Sequence, residues 1–85
     1  MSYRFVYTQR AVKDIARLDA ALKKRLGATL LRFTDNPLKH AERLANPELG
    51  SYRFRMGDYR VIADIEGNDI VVLRVGHRKE IYKRG

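Results

Sequence analysis

A chain of 85 residues is long enough for one modest hydrophobic core, so we expect a single domain over residues 1–85. A hydrophobic fraction of 45% argues against a disordered chain, and the absence of cysteine excludes disulfides and thiolate metal sites. Eighteen lysines and arginines against ten acidic residues give a net charge of +8, which favours a polyanionic partner such as nucleic acid over a merely solubilising surface. No apolar run is long enough for a signal peptide or a membrane span, so we expect a cytoplasmic protein.

The first half of the chain predicts one strand followed by a helical hairpin. Residues 3–7 alternate between polar and apolar side chains and therefore indicate a strand. A first helix follows, and we expect Asp14 to lie on its polar side. Its apolar side is formed by Ala11, Val12, Ile15, Ala16 and Leu18. Asp19 is a suitable N-cap for a second helix, which Asn36-Pro37 ends. The apolar stripe of this helix is formed by Leu22, Leu26, Leu30 and Phe33.

The second half predicts an antiparallel meander. Residues 37–51 contain both prolines and are interpreted as a loop. A period of two then predicts three strands, at residues 52–56, 59–65 and 70–75. Gly57-Asp58 joins the first two of these strands, and glycine in the first central position suits a type II′ turn. The expected fold is α+β with the order β-α-α-β-β-β, in which the helical hairpin packs on one face of the sheet and the first strand lies beside the last.

The two-residue turn sets the register of its hairpin and thereby the faces of the sheet. It places Met56 opposite Tyr59, Arg55 opposite Arg60 and Phe54 opposite Val61. The face expected under the helices carries Tyr52, Phe54, Met56, Tyr59, Val61, Ala63, Ile65, Ile70 and Val72. The opposite face carries Arg53, Arg55, Arg60, Ile62, Asp64, Val71, Leu73 and Val75.

The arginines of that second face suggest an anion site. Arg55 and Arg60 oppose each other, and like charges in opposing positions cost about several tenths of a kcal/mol. An anion held between them offsets this cost, which favours a phosphate site; exposed arginines that only block edge pairing are the alternative. After Gly76 the alternation is lost, so the direction of the tail residues stays open. His77 either takes part in the chemistry or orients the chain end, and Tyr82 either joins the site or packs on the sheet.

Two segments of the chain resemble the signature of a known toxin superfamily. Residues 52–61, with their Tyr-Arg-Phe-Arg and Gly-Asp-Tyr-Arg runs, resemble the RelE/ParE superfamily, and the Gly-His-Arg-Lys-Glu-Ile-Tyr ending at residues 76–82 resembles its RelE branch. The resemblance implies a RelE-like microbial RNase fold and the toxin of a type II toxin–antitoxin pair. It further implies a ribosome-dependent endoribonuclease that cleaves mRNA in the A site. The implied partners are a RelB-like antitoxin, mRNA and ribosomal RNA, and no cofactor or metal is implied.

The same resemblance marks candidate site residues. They are Arg53, Arg55, Arg60, Arg78, Tyr82 and His77. Arg60 and Arg78 are expected to hold the scissile phosphate, and the other two arginines to neutralise charge that develops during attack by the 2′-hydroxyl. Tyr82 is the first candidate for the general base, and His77 is either the second candidate or the acid that protonates the leaving oxygen. Some members have lysine where Arg53, Arg55 and His77 stand, so the identity of the proton-transfer groups stays open.

Two other functions are compatible with this resemblance. A ParE-like chain poisons DNA gyrase and catalyses nothing itself, and an inactive member only binds its antitoxin and co-regulates the operon. Under each function we expect an antitoxin whose extended or amphipathic acidic segment wraps the helices and the basic face.

Overall fold

The computed structural model describes residues 3–45 and 49–81, and it confirms the predicted β-α-α-β-β-β order while adding three short elements. The long elements are β1 (Arg4–Tyr7), α1 (Gln9–Ala16), α2 (Ala20–Phe33), β3 (Tyr52–Met56), β4 (Tyr59–Glu66) and β5 (Asp69–His77). The added ones are α3 (Pro37–His40), β2 (Glu42–Arg43) and α4 (Arg78–Ile81). Two of these, α3 and β2, lie in the segment that the sequence indicated as a loop.

The strands form one sheet in the order β1-β5-β4-β3-β2. β1 lies beside β5, as predicted, but it runs parallel to β5, whereas the sheet was expected to be antiparallel; the remaining neighbours are antiparallel. The core lies between this sheet and the helices α1 and α2. No helix within the described residues combines the length and apolarity that crossing a membrane requires.

The helices α1 and α2 each begin at a side-chain cap, and apolar residues of each pack against the sheet. Thr8 Oγ1 accepts a hydrogen bond from Ala11 N at 3.1 Å, and Asp19 Oδ1 accepts one from Leu22 N at 2.8 Å. The Asp19 cap is therefore confirmed, and such caps typically stabilise a helix by about 1 kcal/mol. The predicted stripe of α2 is buried at Leu26, Leu30 and Phe33. Stacking of Phe33 on Phe54, with ring centroids 5.3 Å apart, joins the helix to β3.

Asp14 is buried, so its predicted place on the polar side of α1 is wrong. β1 pairs with β5 only as far as Val72, and the backbone of β5 beyond that point needs other partners. Thr8 N and Thr8 Oγ1 donate to Val72 O, and Asp14 Oδ2 accepts from Val75 N at 3.0 Å. The same carboxylate oxygen accepts from Arg74 Nε at 2.8 Å. Asp14 thus fastens α1 to the edge of β5 that β1 leaves uncovered.

A bulge in β5 changes which side chains share a face. Ile62 pairs with Arg74, but the next residue, Ala63, pairs with Val72, so Leu73 is an extra residue in the ladder. An inserted residue interrupts the alternation of a strand. As a result Val75 pairs with Val61 in the helix-covered core and is 3% exposed. Its predicted place on the arginine-bearing face is therefore wrong.

The apolar side chains on the arginine-bearing face are covered by the chain itself. Ile62 is fully buried outside the core cluster that the helices cover. The backbone of Gly50 lies against Ile62 and Leu73, and Ile81 of α4 lies over Gly76. Ile62 and Leu73 on the arginine-bearing face are therefore covered by the backbone of Gly50.

Alanine at Gly50 is expected to destabilise the fold. An added Cβ would lie 2.8 Å from Ile62 Cγ2 and 2.9 Å from Leu73 Cδ1, and Gly50 has φ +143°, which other residues rarely adopt. We expect a loss of about 1–3 kcal/mol in the free energy of unfolding, measured by urea denaturation. Gly27→Ala is the matched control: nothing lies within 4 Å of a Cβ there, so alanine in α2 should stabilise by about 0.5–1 kcal/mol. Equal stability of the two variants would contradict the close packing at Gly50.

Candidate functional site

The β3–β4 hairpin has the predicted turn and register. Gly57 has φ +59°, while Asp58 does not have a positive φ, which is the pattern of a type II′ turn. Met56 pairs with Tyr59 and Arg55 pairs with Arg60. Both predictions are confirmed, and they place the arginines of the two strands on one face.

Glu42 lies between the two arginines of β3. It pairs with Arg53 in the β2–β3 ladder, so its side chain is on the arginine-bearing face. Glu42 Oε2 accepts from Arg53 Nη2 at 3.3 Å, and its other oxygen, Oε1, forms an ion pair with Arg55 Nε. The chain therefore supplies an anion of its own to the two arginines of β3. The sequence carried no signal for Glu42, because its position depends on a two-residue strand inside an apparent loop.

Arg60 is directed at the backbone of its own turn. Its side chain is buried, and Nη1 donates to the carbonyl oxygens of Gly57 at 2.7 Å and Tyr59 at 2.9 Å. The repulsion expected between Arg60 and Arg55 is thus reduced, because carbonyl dipoles hold one guanidinium and the Glu42 carboxylate holds the other. These two hydrogen bonds both use Nη1, so the turn fixes the orientation of the guanidinium plane.

Arg78 is brought to the same end of the sheet. Its backbone N donates to Asp58 O at 2.8 Å, so α4 begins beside the β3–β4 turn. Its side chain is about half exposed, with Nε 3.6 Å from Asp58 Oδ1. We refer to Arg53, Arg55, Arg60 and Arg78 as the arginine cluster.

His77 lies on the other face of the sheet from Arg55. It pairs with Tyr59, whose side chain packs toward the helices, and the two rings meet edge to face at 5.4 Å. His77 Nδ1 accepts a hydrogen bond from Lys79 N at 3.1 Å. Such a bond orients the start of α4, which is the second of the two roles predicted for His77. The other candidate base, Tyr82, lies outside the described residues.

The arginine cluster can bind oxyanions but cannot move protons. Guanidinium groups match the oxygens of phosphate and carboxylate, and they stay protonated at all ordinary pH values. A reaction at this surface therefore needs its proton acceptor from another residue. Of the two bases predicted from the sequence, His77 lies on the other face of the sheet from Arg55, and Tyr82 lies outside the described residues.

The whole chain matches a family of toxins. A family model described as the ParE toxin of the type II toxin-antitoxin system, parDE, matches residues 5–82. The chain belongs to this toxin family. Toxin RelG of Mycobacterium tuberculosis is 31% identical to this chain, and the alignment covers 99% of this chain and 100% of RelG. Toxin RelE3 of Methanocaldococcus jannaschii is 28% identical to this chain, and the alignment covers 93% of this chain and 94% of RelE3.

A solved structure agrees with this assignment of the toxin. The toxin–antitoxin complex RelBE2 of Mycobacterium tuberculosis contains a chain with a TM-score of 0.82 and 25% identity, covering 92% of this toxin and 100% of that chain. The α+β fold and the membership of the RelE/ParE superfamily, both expected from the sequence, are thereby confirmed. Since the family model carries the ParE name and the relatives carry Rel names, the matches support the superfamily as a whole.

Proposed function

We propose that this toxin is a ribosome-dependent endoribonuclease that cleaves mRNA in the A site and so inhibits translation. The observation that carries the proposal is the Glu42 carboxylate held between Arg53 and Arg55, because a surface that binds one oxyanion in this way suits another. The Rel names of the relatives and the net charge of +8 support the same class of target.

The proposed reaction is attack of a ribose 2′-hydroxyl on the adjacent phosphate without a metal ion. The 2′-hydroxyl gives its proton to the general base, and a new bond forms from the 2′-oxygen to phosphorus. The bond to the 5′-oxygen breaks, and that oxygen takes up a proton from a general acid as it leaves. The products are a 2′,3′-cyclic phosphate, or the 3′-phosphate from its hydrolysis, and a 5′-hydroxyl. Arg60 and Arg78 hold the phosphate, while Arg53 and Arg55 neutralise the charge that develops on its oxygens. The bonds from Arg60 to its turn favour this role, since a guanidinium oriented in advance loses less entropy on binding.

Tyr82→Phe tests the proposal at its proton-transfer step. If the Tyr82 hydroxyl is the general base, its removal should lower the rate of cleavage by about a hundredfold or more. The measurement is primer extension on a translated mRNA after induction of the toxin. Tyr3→Phe is the matched control, because it removes the same hydroxyl from a side chain that packs against the core. If the Tyr82→Phe variant cuts mRNA as strongly as the wild type does, Tyr82 is not the general base and another residue must take this role.

A poison of DNA gyrase is the second candidate function, and the ParE description of the matching family model favours it. The two functions differ in their products. Blocked supercoiling by purified gyrase, together with uncut mRNA in the wild type, would reject the endoribonuclease and support the poison.

We also propose a cognate RelB-like antitoxin and a cytoplasmic location for the toxin. The similar chain from Mycobacterium tuberculosis was solved as a toxin–antitoxin complex. An acidic segment would complement the net charge of +8, and it would stabilise this small fold by binding only the native state.

A further inference from the structure

The contacts of Glu42 resemble those of a bound phosphate. Each carboxylate oxygen engages a different guanidinium, Oε2 that of Arg53 and Oε1 that of Arg55. The side chain of Glu42 is 43% exposed, that of Arg53 is 24% exposed and that of Arg55 is 56% exposed, so a ligand can reach them from solvent. Two oxygens that bridge two guanidiniums are also what a phosphodiester offers through its non-bridging oxygens. The carboxylate therefore occupies the position in which these arginines would hold RNA.

The backbone holds Glu42 in this position. β2 contains only Glu42 and Arg43, yet it is paired in register with β3. On its N-terminal side Ala41 N donates to Pro37 O at 2.9 Å, and on its C-terminal side Leu44 N donates to Ser51 O at 3.0 Å. These bonds fix the strand at both ends. The backbone of Glu42 is therefore held in one conformation, in which its carboxylate faces the arginines.

We propose that Glu42 is an internal counter-anion that weakens the binding of free RNA, which must displace the carboxylate to reach Arg53 and Arg55. The inference rests on the proposed action of the arginine cluster on RNA. Among the described residues, a phosphate that approaches this position meets the cations Arg53 and Arg55 and the anion Glu42, and it must break an existing ion pair. An mRNA presented by the ribosome gains further contacts that offset this cost, whereas RNA in solution does not. Glu42 thus keeps the affinity for free RNA low, while ribosome-bound mRNA reaches sufficient affinity through its other contacts.

Glu42→Gln tests the proposal through binding. The probe is a short 2′-O-methyl RNA, which lacks the attacking hydroxyl and cannot be cut, and its affinity is followed by fluorescence anisotropy. Loss of the carboxylate should tighten binding about two- to fivefold at low salt. It should also steepen the dependence of log K on log salt by about 0.7 for each phosphate newly bound, measured between about 50 and 200 mM salt.

Asp69→Asn is the matched control. Asp69 also pairs with one arginine, Arg4, and its loss changes the net charge equally. It lies in β5 beside β1, at the other edge of the sheet from β2. The expected result is unchanged binding and an unchanged salt slope. An equal gain with Asp69→Asn would mean that total charge causes the effect, and it would overturn the proposal.

A double-mutant cycle shows whether Glu42 acts through Arg55. In an Arg55→Ala background the gain from Glu42→Gln should shrink, because one of the two guanidiniums that the carboxylate contacts is absent. A gain of full size in that background, or no gain from Glu42→Gln alone, overturns the proposal. Loss of mRNA cleavage with unchanged RNA binding also overturns it and assigns Glu42 to proton transfer. Thermal unfolding of each variant shows that β2 and β3 remain folded.

The proposed function is judged by a different result. If the wild type cuts translated mRNA but Glu42→Gln binds RNA no more tightly, only the counter-anion inference fails. If the wild type cuts no translated mRNA, the endoribonuclease proposal fails whatever the binding data show.

Discussion

Arg78→Ala is expected to abolish growth arrest when the toxin is expressed without an antitoxin. The side chain is half exposed at the end of the sheet that carries Arg55 and Arg60, where it is proposed to hold the scissile phosphate. Removal of such a donor should reduce the rate of cleavage by about a hundredfold or more, which corresponds to about 3 kcal/mol in the transition state. The measurements are growth after induction and primer extension on a translated mRNA.

The fold should survive this change. The contact that docks α4 is made by the backbone N of Arg78 to Asp58 O, and alanine keeps it. The circular dichroism spectrum and binding to the cognate antitoxin should therefore stay as in the wild type. Arg4→Ala is a suitable control, because it removes the same charge from an exposed side chain in β1, at the far side of the sheet. A fully toxic Arg78→Ala variant that still cuts mRNA would remove Arg78 from the site.

Asp14→Ala is expected to cause a large loss of stability. The variant leaves the half-buried guanidinium of Arg74 without its carboxylate and the N–H of Val75 without its acceptor. Since both groups lie where α1 meets β5, we expect a loss of about 2–4 kcal/mol in the free energy of unfolding. For a chain of this size, a loss of that order is a large fraction of the total stability. Urea denaturation followed by circular dichroism measures it.

Asp35→Ala provides the comparison for Asp14→Ala. Asp35 is exposed, and its replacement should change the free energy of unfolding by no more than about 0.5 kcal/mol. If the two variants unfold at the same urea concentration, the Asp14 contacts contribute little and the joint between α1 and β5 depends on apolar packing alone. Asp14→Asn separates the two contributions, since an amide oxygen can accept from Val75 N without pairing with the charge of Arg74.

Local patterns predicted those parts of the fold that depend on neighbouring residues. The Asp19 cap and the Gly57-Asp58 turn each depend on a few adjacent positions, and the turn alone fixes the pairing of Arg55 with Arg60. The alternation of the strands gave the face that packs under the helices. Those features therefore followed from the order of residues without knowledge of distant contacts.

The features that the sequence did not predict depend on contacts between distant residues. The residues around Asp14 in the sequence are like those around an exposed acidic residue of any helix. Asp14 is buried because it binds the edge of β5 that β1 does not reach, about 60 positions away in the sequence. The bulge at Leu73 has no glycine to mark it, yet it moves Val75 to the other face. Glu42 faces the arginines only because β2 pairs with β3. The sequence thus identified the arginines of the candidate site, but it did not identify the carboxylate of Glu42 beside them.

The pairing of β1 with β5 sets the order in which a newly made chain can fold. Arg4 pairs with Asp69, so the parallel ladder joins residues that are 65 positions apart in sequence. A strand that has not yet been synthesised cannot pair, and contacts between distant residues form late and slowly. β1 cannot pair until β5 has left the exit tunnel of the ribosome. Arg78, which follows β5, emerges later still, so an unfinished nascent chain lacks the complete arginine cluster.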